Sequence, residues 1–259
     1  MSFLLNLIAL LKFILYKNHR ECINFRMNQL KQILDQLSDF ESLHEKLKFL
    51  NDNVQEKIVF STSFGFEDQV ISHAIFSQKL ENIEVFTLDT GRVFPETYTT
   101  WYKTELKYQS KIKPYYPPTA ELENFIENNG INPFYDSVEL RKQCCNIRKV
   151  IPLNRALKEA SVWITGLRAD QSNNRHSMHE VEFDEDRQLF KFNPLIDFTT
   201  DDCFNYLKEN RVPYNPLHDQ GFISIGCAPC TRAIKEGEDF RAGRWWWENG
   251  SKECGLHTK

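Results

Sequence analysis

The sequence lacks the marks of a fibrous, disordered or multi-span membrane protein. Its 259 residues contain no internal repeat and no low-complexity segment, and 41% are hydrophobic while 26% are charged, as in ordinary globular proteins. A strong excess of one charge is also missing, because 32 basic residues nearly balance 36 acidic ones and leave a net charge of −4. Without a clustered basic surface we expect no nucleic-acid partner, and any anion site must be built locally.

A long hydrophobic run is likewise absent. The most apolar stretch, residues 3–16, is interrupted by Asn6 and Lys12, and it is shorter than the about 20 residues that a spanning helix needs. It also lacks the preceding positive charge and the cleavage site of a signal peptide. We therefore interpret residues 1–26 as a non-catalytic extension before a single domain at 27–259, and we expect a cytoplasmic protein without stable membrane association. A membrane-proximal or packing helix is the alternative for the extension.

Short apolar segments alternate with amphipathic ones from residue 57 onward. Buried strands are predicted for KIVFSTS, IEVFTL, KIKPYY and VWITGL, with helices between them such as EDQVISHAIFSQKL. Strands separated by helices predict the α/β class, with a mainly parallel sheet flanked by helices. Ligands of such sheets bind beyond the carboxyl ends of the strands. The informative loops are therefore STSFGFED, LDTGR and TGLRADQS.

Three further segments complete the predicted elements. The helical pattern ELRKQCCNIRKVIPLNRALKEA contains Pro152, which is expected to bend or break the helix. The acidic segment HEVEFDEDRQ predicts a solvated hairpin or loop. The segment TTDDCFNYLKEN predicts a helix whose N-cap is Thr199 or Thr200, with acidic residues in its first turn.

Residues 61–65 form a candidate phosphate loop between the first strand and the helix that follows. Small hydroxyl residues and Gly65 let backbone N–H groups approach an anion, and a helix N-terminus favours negative charge. An ordinary capped turn is the alternative, with Glu67 and Asp68 as capping residues. The loop contains no G-K-[ST] and is therefore not a Walker A motif.

The cysteines point to metal or redox chemistry. Their number is seven, an odd count that fits a disulfide scaffold poorly. Four thiolates suit a tetrahedral zinc or an iron–sulfur cluster. An adjacent pair reaches two irons more easily than it fits one ion, which favours a 4Fe–4S cluster; buried apolar cysteines and a thioredoxin-type redox pair remain alternatives. The four candidate ligands are Cys144, Cys145, Cys227 and Cys230.

Several cations stand close to these motifs. Arginine clusters recognise phosphate or sulfate through paired hydrogen bonds. For any single arginine, a surface salt bridge is the alternative. The candidates are Arg148, Lys149, Arg168, Arg241 and Arg244.

The C-terminal part loses its periodicity. From Pro213 onward we expect a loop-rich region that ends in a mobile catalytic tail at 248–259. In this tail Cys254 has Lys252 and His257 nearby, which would raise its thiolate fraction. The tail contains no second cysteine, so a bond formed on Cys254 needs an external dithiol to resolve it. An inert tail thiol is the alternative.

Taken together, these motifs resemble the assimilatory sulfonucleotide reductases, specifically the iron–sulfur adenylyl-sulfate reductases. The resemblance covers about residues 55–259, and the cysteine pattern with KECGLH is its most specific part. Plant-type members carry a thioredoxin-like domain at the C-terminus that this sequence does not match. The motifs are SFGFED, LDTGRVFPETY, CCNIRKVIPL, WITGLRADQS, FKFNPLIDFT, PYNPLHDQGFISIGCAPCTRAI, GEDFRAGRWWWE and KECGLH.

The resemblance implies a fold and a set of site residues. The fold is that of the adenine-nucleotide α-hydrolases, also called PP-loop proteins. One 4Fe–4S cluster per subunit is implied on Cys144, Cys145, Cys227 and Cys230, and Cys254 is implied as the nucleophile. A nucleotide pocket is implied at Ser61, Ser63, Gly65, Leu88, Thr90 and Gly166. Contacts to the phosphosulfate are implied for Lys149, Arg168, Arg241, Arg244 and His257.

The implied reaction is the reduction of adenosine 5′-phosphosulfate (APS) to sulfite and AMP in sulfate assimilation and cysteine biosynthesis. It runs through an S-sulfocysteine, with thioredoxin or glutaredoxin as reductant, and a homo-oligomer is one expectation. The 3′-phosphorylated analogue (PAPS), alone or as a second substrate, is the first alternative, although reductases of that kind lack the four cysteines. A PP-loop ATPase or sulfurtransferase and a cluster-based sensor are further alternatives.

Overall fold

The fold is organised around one six-stranded sheet. A computed structural model describes residues 25–171 and 178–248. The last two strands along the chain pair antiparallel and the other neighbours pair parallel, which confirms the predicted α/β class with a mainly parallel sheet. The strand order is β3-β2-β1-β4-β6-β5, with β1 at Lys57–Thr62, β2 at Ile83–Leu88, β3 at Lys113–Tyr115, β4 at Ala160–Ile164, β5 at Val181–Asp184 and β6 at Leu189–Phe192.

Helices cover both faces of this sheet. Successive strand residues point to opposite sides, so Ile58 and Phe60 pack in one hydrophobic cluster while Val59 packs in another with Leu153. The helices are α1 at 25–35, α2 at Leu43–Asn53, α3 at Phe66–Ser77, α4 at Pro95–Tyr108, α5 at Thr119–Asn129, α6 at Val138–Cys145, α7 at Ile151–Ala156 and α8 at Thr200–Glu209. The N-cap of α8 is Thr199, as predicted, in a capping box with Asp202.

Helix α1 overlaps the end of the N-terminal extension predicted at residues 1–26. Leu30 and Leu34 of α1 are buried in the core, and Arg26 forms an ion pair with Glu56 at 3.9 Å. Helix α1 thus already contains residues 25 and 26 of the predicted extension, whereas residues 1–24 lie outside the described residues. Within the described ranges, no helix has both the length and the apolar character needed to cross a bilayer.

The acidic segment after residue 178 forms the predicted hairpin, but its second strand is a buried member of the sheet. All four residues of β6 are buried, and β6 pairs parallel with β4. Lys191 of β6 is tolerated there because its ammonium lies 2.8 Å from the Asp184 carboxylate and 5.5 Å from the ring centroid of Trp163. Sequence periodicity missed β6 because a lysine stands between its apolar residues.

Pro152 alters the helical segment as predicted. Between α6 and α7 the chain forms a π-helical turn at Asn146–Val150, and the N–H of Ile151 donates to the carbonyl of Asn146. Proline has no N–H to continue the α-helical pattern, but it is accepted in the first turn of the next helix. The wider turn carries Arg148 and Lys149, and such π-turns are frequent at functional sites.

Candidate active site

A pocket opens beyond the carboxyl ends of β1, β2 and β4, and we call it the sheet-edge pocket. Its volume is about 230 Å³. The loops after these strands, the π-helical turn and parts of the C-terminal region form its wall, at the position where parallel sheets bind ligands. The wall brings together most of the predicted substrate-binding residues, namely Ser61, Ser63, Gly65, Leu88, Thr90, Lys149, Gly166, Arg241 and Arg244.

Asp68 closes the candidate phosphate loop. Its Oδ2 accepts hydrogen bonds from the backbone N–H of Ser63 at 2.6 Å and from the Ser63 hydroxyl at 2.7 Å. Phe64, the residue after Ser63, has a φ of 61°, which is uncommon for an aromatic residue. Its ring stacks on Trp101. The loop therefore has a fixed shape in which both donors of Ser63 serve a protein carboxylate, while the helix N-cap is Gly65 and receives no side-chain hydrogen bond.

Arg168 lies behind the wall of the sheet-edge pocket. Its side chain is fully buried, and Nε donates to Glu67 Oε1 at 3.2 Å. The other donors reach the carbonyl of Phe198 and the hydroxyl of Thr200, each at 3.0 Å. Burial raises the pKa of Glu67, while Arg168 and Gln171 oppose that rise. The geometry thus gives Arg168 a role in holding Glu67, and its direct contact with a substrate stays a prediction.

The buried Asp68 makes stability depend on pH. Burial raises the pKa of Asp68 from 3.8 to about 7, with the neighbouring Glu67 adding to the rise. Between these values the unfolded chain is ionised and the folded chain is protonated, so stability falls as pH rises from about 4 to about 7. Asp68→Asn is expected to remove this dependence, because its amide oxygen still accepts from Ser63. Urea unfolding at several pH values should show the variant gaining stability over the parent, by up to a few kcal/mol at pH 8.

A matched control for this prediction exists in α8. Asp202 is also the third residue of its helix, but it is exposed, and hydrogen bonds from Thr199 lower its pKa. Asp202→Asn is therefore expected to lose stability relative to the parent as pH rises towards about 4, the opposite sign, and to keep a constant difference above that pH. A stability difference between Asp68→Asn and the parent that does not change with pH would contradict the account.

The loop after β2 joins the sheet-edge pocket to the cysteines. The Thr90 hydroxyl lies 3.3 Å from the Cys227 sulfur, and the carbonyl of Thr90 accepts a hydrogen bond of 2.6 Å from Arg148. The N–H of Ala228 donates to the carbonyl of Arg92 at 2.7 Å. The cysteine-bearing C-terminal segment is therefore fastened to the end of the central sheet.

The four predicted metal ligands lie together, and we call them the cysteine cluster. They pack with Phe134 and Trp245 and line one void of about 20 Å³. Burial raises the pKa of the Cys144 thiol and raises that of Cys230 to about 12. Four cations share the lining of this void, namely Arg92, Arg141, Arg148 and Lys149.

The donor set of the cysteine cluster suits an iron–sulfur group. Four sulfur donors around one void are the ligand set of such a group, and the four cations would offset the negative charge of four thiolates. Over residues 25–171 and 178–248, no three or more His, Cys, Asp or Glu side chains converge on a position for one metal ion.

Cations line the side of the sheet-edge pocket that faces the cysteine cluster. Lys149 contributes to both linings, and Arg241 and Arg244 flank the ring of Trp245. Arg244 is 6% exposed, and its Nε is buried without a hydrogen-bond partner in the described part of the chain. A Cβ on Gly226 would collide with the Arg244 guanidinium. The buried guanidinium is thus packed closely against the wall, and its Nε–H donor has no partner in the described part of the chain.

Part of this wall was not predicted from the sequence. Glu67 and Asp68 line it, and residues 223–226 add an irregular strip to it. The acidic pair stood in a motif, so its position after a strand was a usable signal, whereas the strip had no periodicity to reveal it. Two predicted residues, Cys254 and His257, lie outside the described residues.

Sequence comparisons identify relatives over most of the chain. The family described as "Phosphoadenosine phosphosulfate reductase domain" matches residues 57–233. An adenosine 5′-phosphosulfate reductase of Sinorhizobium fredii is 48% identical over 234 residues, covering 84% of this chain and 93% of that protein. One from Rhizobium meliloti is 52% identical over 206 residues, covering 79% of this chain and 77% of that protein.

Structural comparison agrees with these relatives. The crystal structure of a phosphoadenylyl-sulfate reductase from Candida auris, a phosphate complex, has a TM-score of 0.59 and 26% identity, and the match covers 75% of this chain and 99% of that one. A mutant FMN adenylyltransferase of Candida glabrata has a TM-score of 0.50 at 13% identity, covering 83% and 68% of the two chains. The second likeness concerns the fold alone.

Proposed function

Since the chain belongs to the phosphoadenosine phosphosulfate reductase family, we propose that it is an oxidoreductase that reduces adenosine 5′-phosphosulfate to sulfite and AMP. Relatives that are 48% to 52% identical are named for this substrate. The observation that carries the proposal is the buried guanidinium of Arg244, which has an unpartnered Nε in a pocket wall shared with Lys149. Such a wall suits a dianionic phosphosulfate.

The cysteine cluster is proposed to hold one 4Fe–4S cluster. Cys144 and Cys145 would bind from the end of α6, and Cys227 and Cys230 from the C-terminal region. When bound, the group supplies an electrostatic neighbour to Lys149, which lines both cavities. It need not supply electrons, because an external dithiol can provide both.

The first chemical step is proposed to be attack by Cys254. Its thiolate attacks the sulfur of the sulfuryl group, an S–S bond forms, and the bond from sulfur to the bridging oxygen breaks. AMP leaves with the electron pair, so the charge of −3 on the two reactants equals that on the S-sulfocysteine and AMP. Lys149, Arg241 and Arg244 offset the repulsion between the anions, since one unit pair at roughly 4 Å is worth about 4 kcal/mol at an effective dielectric of about 20.

The second step is proposed to use thioredoxin or glutaredoxin. A thiolate of the reductant attacks the Cys254 sulfur and sulfite leaves with the electron pair. The second thiol of the reductant then resolves the mixed disulfide, which returns the Cys254 thiolate and releases two protons over the cycle. The sulfur is reduced by two electrons while the dithiol is oxidised to a disulfide.

An assay of the purified chain tests this function. With thioredoxin and APS we expect sulfite and AMP in equal amounts, from a brown protein that contains iron. With PAPS at the same concentration, we expect a rate at least about tenfold lower, which corresponds to about 1.4 kcal/mol of discrimination. Equal rates would replace the proposal by dual specificity. ATP turnover without sulfite would favour a PP-loop ATPase, and a brown protein without sulfite release would favour a sensor.

A further inference from the structure

A buried ion pair locks Glu248 to α6, the helix that carries Cys144 and Cys145. Nε of Arg141 donates to Oε1 of Glu248 at 2.9 Å, and Nη2 donates to Oε2 at 2.8 Å. The two side chains are 3% and 6% exposed. Paired hydrogen bonds between a guanidinium and a carboxylate are the strongest form of ion pair, and burial protects them from screening by salt.

Arg141 connects more than these two elements. Its guanidinium lies 4.7 Å from the ring centroid of Trp245, and its side chain also interacts with Cys145, one helical turn further on. The N–H of Trp245 donates to the carbonyl of Cys230 at 3.3 Å, and the N–H of Glu248 donates to the carbonyl of Trp245 at 2.9 Å. Helix α6, the cysteine cluster and Glu248 therefore meet at the side chain of Arg141.

We propose that the Arg141–Glu248 pair is a positioning clamp that fixes the backbone at Glu248, six residues before Cys254. The proposal rests on the proposed function, in which Cys254 must reach the sheet-edge pocket. Cys254 follows Glu248 by six residues, and an extended chain spans at most about 3.6 Å per residue. The clamp thus confines the Cys254 thiol to within about 20 Å of a fixed point, four residues beyond the pocket residue Arg244.

The expected loss of the sulfur-transfer rate depends more on where the chain before Cys254 is held than on the number of residues between Cys254 and that attachment. If the clamp opens, the next buried attachment is Trp245, and the tether grows from six to nine residues. Loop-closure entropy makes that change worth only about twofold. A displacement of the Glu248 backbone matters more, because a misplacement of about 1 Å can lower a rate about 100-fold. We expect about a tenfold loss.

Glu248→Gln tests the clamp, since it keeps the shape of the side chain and removes the charge. At saturating APS without reductant, sulfur transfer to Cys254 is expected to slow about tenfold, while the dissociation constant for AMP and the iron content stay at the parental values. Glu248→Asp, which retains the carboxylate, is expected to recover part of the rate. The control is Glu238→Gln, which weakens the partly exposed Arg232–Glu238 pair and should transfer sulfur at the parental rate.

Hydrogen exchange provides a readout that needs no substrate. Amides of residues 245–248 are expected to exchange faster in Glu248→Gln than in the parent, while those of β1 stay unchanged. Unchanged exchange, a parental transfer rate, or a loss of AMP affinity as large as the loss of rate would each overturn the clamp. If the parent itself forms no adduct on Cys254, the proposed function fails, and the exchange data still decide the clamp. If Glu248→Gln does not fold, Arg141→Lys is the replacement variant. It keeps the positive charge but cannot form the two paired hydrogen bonds to Glu248.

Discussion

Replacing Cys254 with serine is expected to lower thioredoxin-dependent sulfite release from APS by at least about 1,000-fold. The serine hydroxyl is barely ionised near neutral pH, and it cannot form the S–S bond that the reductant later cleaves. Losses of this size are typical when a covalent nucleophile is removed. AMP binding should remain, since the pocket cations are untouched. The measurement is sulfite and AMP production under saturating APS and reductant.

The control for this variant is Cys22→Ser, which removes a cysteine for which no role is proposed and should leave the rate at the parental value. Iron content and AMP affinity of both variants report whether the protein is intact. Sulfite release by Cys254→Ser at a rate close to that of the parent would contradict the account, because the chemistry would then need another nucleophile.

Replacing Arg244 with alanine is expected to lower kcat/KM for APS by about 100- to 1,000-fold. Arg244 is buried, it lines the sheet-edge pocket, and its Nε has no partner in the described part of the chain. Removing one partner of a buried, hydrogen-bonded charge pair costs about 2–5 kcal/mol, and about 1.4 kcal/mol corresponds to tenfold in rate. Steady-state kinetics with varied APS measure the loss.

Two variants keep this prediction specific. Arg244→Lys retains the charge but loses the planar fork, so it should recover only part of the activity. Arg232→Ala removes a partly exposed arginine outside the pocket that pairs with Glu238, and it should stay within about twofold of the parent, as expected for surface ion pairs. Parental kcat/KM in Arg244→Ala would contradict the anion-binding role of the pocket wall.

The central strands could be predicted because their sequence signals are local. IEVFTL is bounded by polar residues and corresponds to β2, and KIVFSTS contains β1 with its loop. The alternation of strands and helices then determines the sheet class. Strand β6 was missed because Lys191 is buried there only through contacts with Asp184 and Trp163, which the chain brings together by folding.

The site could be predicted where residue types carry chemistry and not where contacts decide the role. Four cysteines in two short motifs lie together around one void, as their spacing indicated. Arg168 stands in a motif much like the other cations, yet it lies behind the pocket wall against Glu67. The pairing of Arg141 with Glu248 joins residues 107 positions apart, and no pattern in the sequence announces it.

The mass of the intact protein after incubation with APS, with no reductant present, tests the central claim most directly. The account predicts a gain of one sulfonate group per chain, located by peptide mapping on Cys254, together with one AMP released per adduct. Addition of thioredoxin should remove the group as sulfite. Release of AMP and sulfite from a protein whose Cys254 stays unmodified, or a sulfonate carried by another cysteine, would contradict the account.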